Sequence, residues 1–116
     1  MRQFAHKKIK RLSRRQELGL ATDTDSQAQK GSGALPWAKG DVRKRGAFRA
    51  ECKFTRSKSY SVTRATLDKI RSECSVNETP LLDLQFLDKH GAVDERWVLI
   101  PYSVWLEQQQ QQKGRT

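Results

Sequence analysis

Apolar and polar residues alternate in two stretches of the chain, and this period of two predicts the strands of a small sheet. In residues 47–55 apolar side chains alternate with charged or small ones. In residues 79–88 they alternate with Asp83 and Gln85, which the pattern assigns to the polar face. The predicted strands are 40–43, 47–55, 79–88 and 96–102, with turns at 44–46 and 90–91.

Three helices are predicted, the first with Leu12, Leu18 and Leu20 near one side. The clearest covers residues 63–74, where Leu67, Ile70 and Cys74 form a stripe and a serine or threonine can cap the amino end. The predicted helices are 11–21, 63–74 and 103–112. Residues 22–40, rich in Ser, Thr, Asp and Gly, are expected to form an exposed loop. The order of these elements indicates an α/β fold, with a mixed central sheet flanked by helices.

Length and composition indicate one small domain with a modest core. The chain has 116 residues, of which 35% are hydrophobic and 31% charged, and this is lean for a single core. We expect residues 1–10 to form a flexible basic arm, residues 11–107 the domain, and residues 108–116 a low-complexity tail with a glutamine run. An oligomer would compensate for the small core.

The cysteines and the apolar runs argue against several classes of protein. Cys52 and Cys74 have no CxxC spacing and no histidine cluster, so we interpret them as buried thiols rather than zinc ligands. No apolar run is long enough to span a membrane, and the amino terminus lacks the apolar stretch of a secretory signal. The protein is therefore expected to be soluble and cytoplasmic, without a membrane partner.

The distribution of charge indicates a polyanionic partner. The formal net charge is +10. Residues 1–15 hold seven Lys or Arg and no acid, and residues 39–64 hold nine against only Asp41 and Glu51. Clusters of this size favour nucleic acid, because each phosphate contact releases counterions.

The two acids in the second basic cluster suggest a metal site. Glu51 and Lys53 are two positions apart on a predicted strand, so their side chains point to the same face. A hairpin turn at 44–46 could bring Asp41 close to Glu51, and two neighbouring carboxylates repel unless a cation lies between them. Oxygen ligands suit Mg²⁺. The alternative is that both acids pair with neighbouring arginines in a charged sheet.

The wider pattern resembles the PD-(D/E)xK nuclease superfamily, and within it the Holliday junction resolvases of archaea and bacteriophages. That pattern runs from a glutamate on the first helix, through a Ser-Gly loop, to an aspartate and a (D/E)xK strand. Glu17, the loop at 31–33, Asp41, Glu51 and Lys53 match these elements in order. The resemblance covers residues 11–102.

The resemblance implies a restriction-endonuclease-like core and a metal-dependent endonuclease. Glu17, Asp41, Glu51 and Lys53 would be catalytic, and Asp41 and Glu51 would hold Mg²⁺, with Mn²⁺ able to substitute. A homodimer would nick opposing strands of a four-way DNA junction, and a phage origin in a bacterial host would fit. The residues expected to contact DNA are Ser32, Lys39, Arg43, Thr55, Arg56, Lys58, Tyr60 and Arg64.

Two other functions are compatible with this sequence pattern. One alternative is a nuclease with the same site that acts in repair, restriction or replication, because substrate choice lies in loops and dimer geometry. The other is a basic nucleic-acid-binding protein without catalysis.

Trp97 and Trp105 lie in apolar segments and are assigned to the core, and packing is also preferred for Trp37. The histidines, His6 and His90, are expected at the surface.

Overall fold

The structure, a computed structural model, describes residues 2–28 and 42–114. The helices are α1 (Arg2–Thr24), α2 (Arg64–Glu73) and α3 (Tyr102–Lys113), and the strands are β1 (Gln27–Ala28), β2 (Val42–Lys44), β3 (Phe48–Thr55), β4 (Thr79–Leu87) and β5 (Val93–Leu99). The predicted α/β fold and the predicted order of elements are confirmed. The two residues of β1 are an addition, since they fall in the predicted loop.

Helix α1 is longer than predicted at both ends. It starts nine residues before the expected position, so residues 2–10, expected to form a separate arm, continue the same helix. This part is rich in Lys, Arg and Gln, which have high helix propensity. The helix ends where Asp25 takes a positive φ of 51° and the N–H of Ser26 donates to the carbonyl of Ala21 over 2.9 Å.

The five strands form one mixed sheet in the order β1-β2-β3-β4-β5. Strands β2 and β3 are an antiparallel hairpin whose turn contains Gly46 at φ +78°, a conformation that glycine adopts without strain. Strand β4 runs parallel to β3 and antiparallel to β5. Because a parallel pair needs a crossover connection, α2 lies between β3 and β4 in the chain. Thr63 caps α2, its hydroxyl accepting from the N–H of Thr66.

The helices α1 and α2 cover opposite faces of the sheet. Leu20 and Ala21 of α1 pack with Val42 and Ala50 in one buried cluster. Residues of β4 on the other face, such as Leu82, lie against Leu67 and Ile70 of α2. Since alternate residues of a strand point to opposite faces, β3 and β4 each contribute to both layers.

The face of β4 that was predicted to be polar is in fact buried. Asp83 is fully buried and Gln85 is 4% exposed. The guanidinium of Arg96 donates two hydrogen bonds to the carboxylate of Asp83, over 3.0 and 2.8 Å, and the side-chain amide of Gln16 donates to the Asp83 carbonyl over 3.1 Å. The carboxylate of Asp83 is thus paired within the core.

The assignment of two tryptophans to the core is wrong. Trp97 on β5 is 61% exposed and Trp105 on α3 is 47% exposed. Strand β5 is at the edge of the sheet, and all its residues are exposed. Apolar character was a misleading guide here because no other element of the described chain covers this edge. His90 is exposed as expected, and the side chain of His6 lies outside the described residues.

The two cysteines are half-buried free thiols, so the prediction of buried thiols holds only in part. Burial raises the pKa of the Cys74 thiol. Among the described residues, no helix has the length and apolar character needed to cross a membrane.

An ion pair between Arg43 and Glu78 links β2 to the segment after α2, and it leads to a prediction about acid stability. The carboxylate of Glu78 is 1% exposed and lies 2.7 Å from the guanidinium of Arg43. This hydrogen bond, together with one from the N–H of Ser75, lowers the pKa of Glu78 from 4.5 to about 2. A lowered pKa stabilises the fold above the unfolded value, and this stability is lost as pH falls through the folded value.

We therefore expect stability to fall between about pH 4.5 and 2, and Glu78→Gln to remove this part of the dependence. Thermal unfolding followed by circular dichroism across this range would measure it. The control is Glu107→Gln, which changes an exposed glutamate and should leave the wild-type curve intact. Parallel curves for wild type and Glu78→Gln would contradict the assignment.

Candidate functional site

The predicted pair on β3 is present. Glu51 and Lys53 point to the α2 face of the sheet, and the Lys53 ammonium lies 3.3 Å from the Glu51 carboxylate. The Glu51 side chain is 8% exposed, whereas that of Lys53 is 33% exposed. The Lys53 ammonium is accessible to solvent while the Glu51 carboxylate is buried beside it, so the ammonium can contact a ligand that binds from solvent.

The surroundings of the pair are apolar on one side and charged on the other. In the β3–β4 register Glu51 is opposite Leu82 and Lys53 is opposite Leu84, and apolar neighbours strengthen electrostatic interactions by excluding water. On the same face, Arg49 pairs with Glu73 of α2 over 3.2 Å. Helix α2 therefore closes the start of this face, and the pair lies toward the carboxyl end of β3.

Glu17 approaches from the other layer of the structure. It lies on α1, which covers the face of β3 opposite to Glu51, and it is 4% exposed. The neighbouring residue, Gln16, donates its amide hydrogen to the backbone carbonyl of Lys53 over 2.9 Å. The turn of α1 that carries Glu17 is thereby fixed at the level of Lys53, although it belongs to a different layer from the Glu51–Lys53 pair.

Three predicted site residues, Asp41, Ser32 and Lys39, lie outside the described residues, as do Trp37 and the Ser-Gly loop at 31–33. The first described residue after this segment is Val42, which is fully buried and pairs with Ala50 in the β2–β3 hairpin. Ala50 immediately precedes Glu51. The chain following Asp41 is thus anchored next to the pair.

The predicted DNA-contacting residues after β3 form an exposed segment. Arg56 and Lys58 are exposed, Tyr60 is half-buried, and Arg64 is the exposed first residue of α2. The hydroxyl of Thr55 accepts from the backbone N–H of Ser57 over 3.0 Å, so it has a structural role in the turn that leaves β3. This segment begins two residues beyond Lys53, at the carboxyl end of the strand.

Arg43 has a partner that the sequence did not predict. Its guanidinium binds Glu78 and also donates to the hydroxyl of Ser75 over 2.7 Å. The hydrogen bond to Glu78 raises the pKa of Arg43. Arg43, expected to bind phosphate, is therefore already engaged in holding β2 to the segment after α2.

Helix α1 extends the cationic surface beyond the predicted residues. Lys10, Arg11, Arg14 and Arg15 are exposed on it. A groove between α1 and the end of β3 is lined by Lys8, Ile9, Leu12, Phe54, Thr55 and Arg56. The sequence had indicated a basic cluster in residues 1–15, but not which of its side chains are exposed. The basic surface is defined here as Lys8, Lys10, Arg11, Arg14, Arg15, Arg56, Lys58 and Arg64.

Gly91 allows two arginines of this surface to approach the turn between β4 and β5. Arg15 donates to the carbonyl of Gly91 over 2.6 Å. A Cβ at Gly91 would lie 3.5 Å from the guanidinium of Arg56 and 3.8 Å from Leu12, and its φ is +83°. Glycine suits this position for both backbone and space. Neither contact had a signal in the sequence, because the partners are far apart along the chain.

The predicted metal ligands fall only partly within the described residues. Within residues 2–28 and 42–114 there is no group of three or more His, Cys, Asp or Glu side chains that could hold an ion. The predicted ligand set includes Asp41, which is outside these ranges. Comparison of the chain with protein-family models, curated proteins and solved structures finds no match.

Proposed function

We propose that this protein is a metal-dependent endonuclease that hydrolyses phosphodiester bonds in DNA. The observation that carries the proposal is the Glu51–Lys53 pair, with its atoms 3.3 Å apart, a buried carboxylate and a partly exposed ammonium. The pair lies on the α2 face of β3, and Lys58 and Arg64 of the basic surface follow it along the chain, whereas the α1 cations lie on the opposite face of the sheet. The resemblance to PD-(D/E)xK nucleases, with their restriction-endonuclease-like core, motivates the same assignment.

The donor chemistry fits a hard divalent cation. Glu51 presents carboxylate oxygens on a side chain that is 8% exposed, and such oxygens are the preferred ligands of Mg²⁺. Glu51 and Asp41 would hold Mg²⁺ or Mn²⁺. Such an ion would lower the pKa of a bound water and offset negative charge on the phosphate.

The chain's own residues supply the rest of the chemistry. Lys53, held beside Glu51, can orient the attacking water or donate to a phosphate oxygen as negative charge develops. Glu17 would contribute to the site from α1, on the opposite side of the sheet from the Glu51–Lys53 pair. Lys58 and Arg64, in and after the segment that leads from β3 to α2, would bind backbone phosphates and fix the position of the strand.

For the substrate, we propose a branched DNA, with the four-way junction as the leading candidate and a homodimer as the acting unit. A two-fold dimer presents two identical sites, which suits the pseudo-symmetric strands of a junction. Such an enzyme would act in the cytoplasm of a bacterial host. A nuclease for other DNA structures would share the same site.

A second function is favoured by the same ion pair. Lys53 and Glu51 neutralise each other across 3.3 Å, as they would in a structural salt bridge of a charged sheet. In that case the protein binds nucleic acid through the basic surface and does not cut it. The two functions differ in a single observable, which is cleavage.

The first experiment is cleavage of a labelled synthetic four-way junction, with linear duplex and single strand of matched sequence. We expect paired nicks in the junction with Mg²⁺ or Mn²⁺ and no product with EDTA. Equal cutting of every duplex would retain the nuclease and remove the junction preference. Binding without cleavage in any metal would leave the non-catalytic function.

A further inference from the structure

Strand β5 and the start of α3 carry an apolar surface that the chain leaves uncovered. Trp97, Tyr102 and Trp105 are 61%, 71% and 47% exposed. Among the described residues, α3 makes no extensive contact with another helix or strand. Exposed apolar surfaces of this kind mark interaction sites. The β5–α3 surface consists of Trp97, Leu99, Tyr102, Trp105 and Leu106.

The charge of this surface distinguishes it from the rest of the chain. Residues 97–106 contain no charged side chain, although the chain carries a formal charge of +10. A polyanion would find no cation to bind on this surface. Two copies of a strongly basic chain repel each other, and contact through an uncharged surface brings the fewest like charges together.

The exposed area is close to what a second copy would need. These five residues expose on the order of 600 Å², compared with roughly 800 Å² that each partner buries in a standard interface. The core itself is small, since the described residues include only seven buried hydrophobic side chains. Strand β5 is also an edge strand, so its outer backbone groups are available to pair with another strand.

We propose that the β5–α3 surface is the interface of a two-fold symmetric homodimer of this chain. In such an interface each contact occurs twice, because the same surface serves both partners. Trp97 and Trp105 are the anchors, since large aromatic side chains dominate interface energies. This inference names the interface of the dimer suggested for the proposed nuclease. Its evidence is the exposed apolar surface, and it is tested without DNA or metal.

The test is the mass of the protein in solution, measured by sedimentation equilibrium between about 1 and 100 μM, a range chosen around a micromolar affinity. We expect a wild-type dimer and a loss of affinity of at least about 100-fold for Trp105→Glu. Trp97→Thr should weaken the dimer similarly, and threonine suits an exposed strand position. The control, Val76→Glu, makes an apolar-to-acidic change at a side chain that is 100% exposed and outside the surface.

Each result decides the proposal. A dimeric wild type and Val76→Glu, with both tryptophan variants monomeric and native by circular dichroism, would support it. A monomeric wild type at the highest concentration would overturn it. A dimer that withstands both tryptophan changes would also overturn it, because the interface would then lie elsewhere. The measurement does not depend on nuclease activity. A monomeric wild type would also remove the homodimer from the proposed junction enzyme, but metal-dependent cleavage of DNA would still be tested on its own.

Discussion

Glu51→Gln is expected to reduce metal-dependent cleavage of a four-way junction on the order of 10³-fold, while the affinity for the junction changes by less than about threefold. Glutamine has the shape of glutamate but lacks the charge that a divalent cation requires. Glu51 is also buried, so it is poorly placed to repel a phosphate backbone that binds at the basic surface. Single-turnover cleavage and a binding assay in EDTA would separate the two effects.

A control with the same chemical change is Glu95→Gln. Glu95 lies on β5, is exposed, and should keep wild-type cleavage. The melting temperature of both variants should be measured, because Glu51 also pairs with Lys53. A folded Glu51→Gln protein that cleaves at the wild-type rate would remove Glu51 from the chemistry and favour a structural salt bridge.

The position of β3 could be predicted from sequence because an alternating pattern marks a strand even where, as here, both faces are covered. The predicted strand, 47–55, and the observed strand, Phe48–Thr55, differ by one residue. The same period placed Glu51 and Lys53 on one face, which the 3.3 Å distance confirms. This part of the site depends on local geometry alone.

The errors occurred where the outcome depends on which elements cover a strand. Alternation shows that two faces differ, but it does not show which one is buried. Strand β4 is central and covered on both faces, so Asp83 enters the core with Arg96 as its partner. Strand β5 is at the edge, so Trp97 remains exposed.

Contacts between distant residues could not be predicted for a similar reason. The partner of Arg43 is Glu78, which is 35 positions away, and no local period connects them. The amide of Gln16 reaches the carbonyl of Lys53 across 37 positions. Such pairs form because helices and strands pack against one another. The spacing of residues within a single helix or strand does not show which other element it will contact.

Arg96→Met is expected to lower the free energy of unfolding by about 3 kcal/mol, the largest effect on stability among the changes considered. Asp83 is fully buried and accepts two hydrogen bonds from Arg96. Removing the guanidinium leaves a buried carboxylate without its counter-charge. Methionine retains the aliphatic stem of the side chain, so the loss of packing is small. Urea unfolding at pH 7 would measure the change.

The control is Arg71→Met, at an exposed position of α2, where we expect a change within about 0.5 kcal/mol. The double variant Asp83→Leu with Arg96→Met tests the cause. If the cost comes from an uncompensated buried charge, removing Asp83 as well should recover part of the stability, because an apolar pair can replace a buried ion pair. A double variant less stable than Arg96→Met would instead mean that the carboxylate of Asp83 has other stabilising partners in the core, such as the thiol of Cys52, 3.8 Å away.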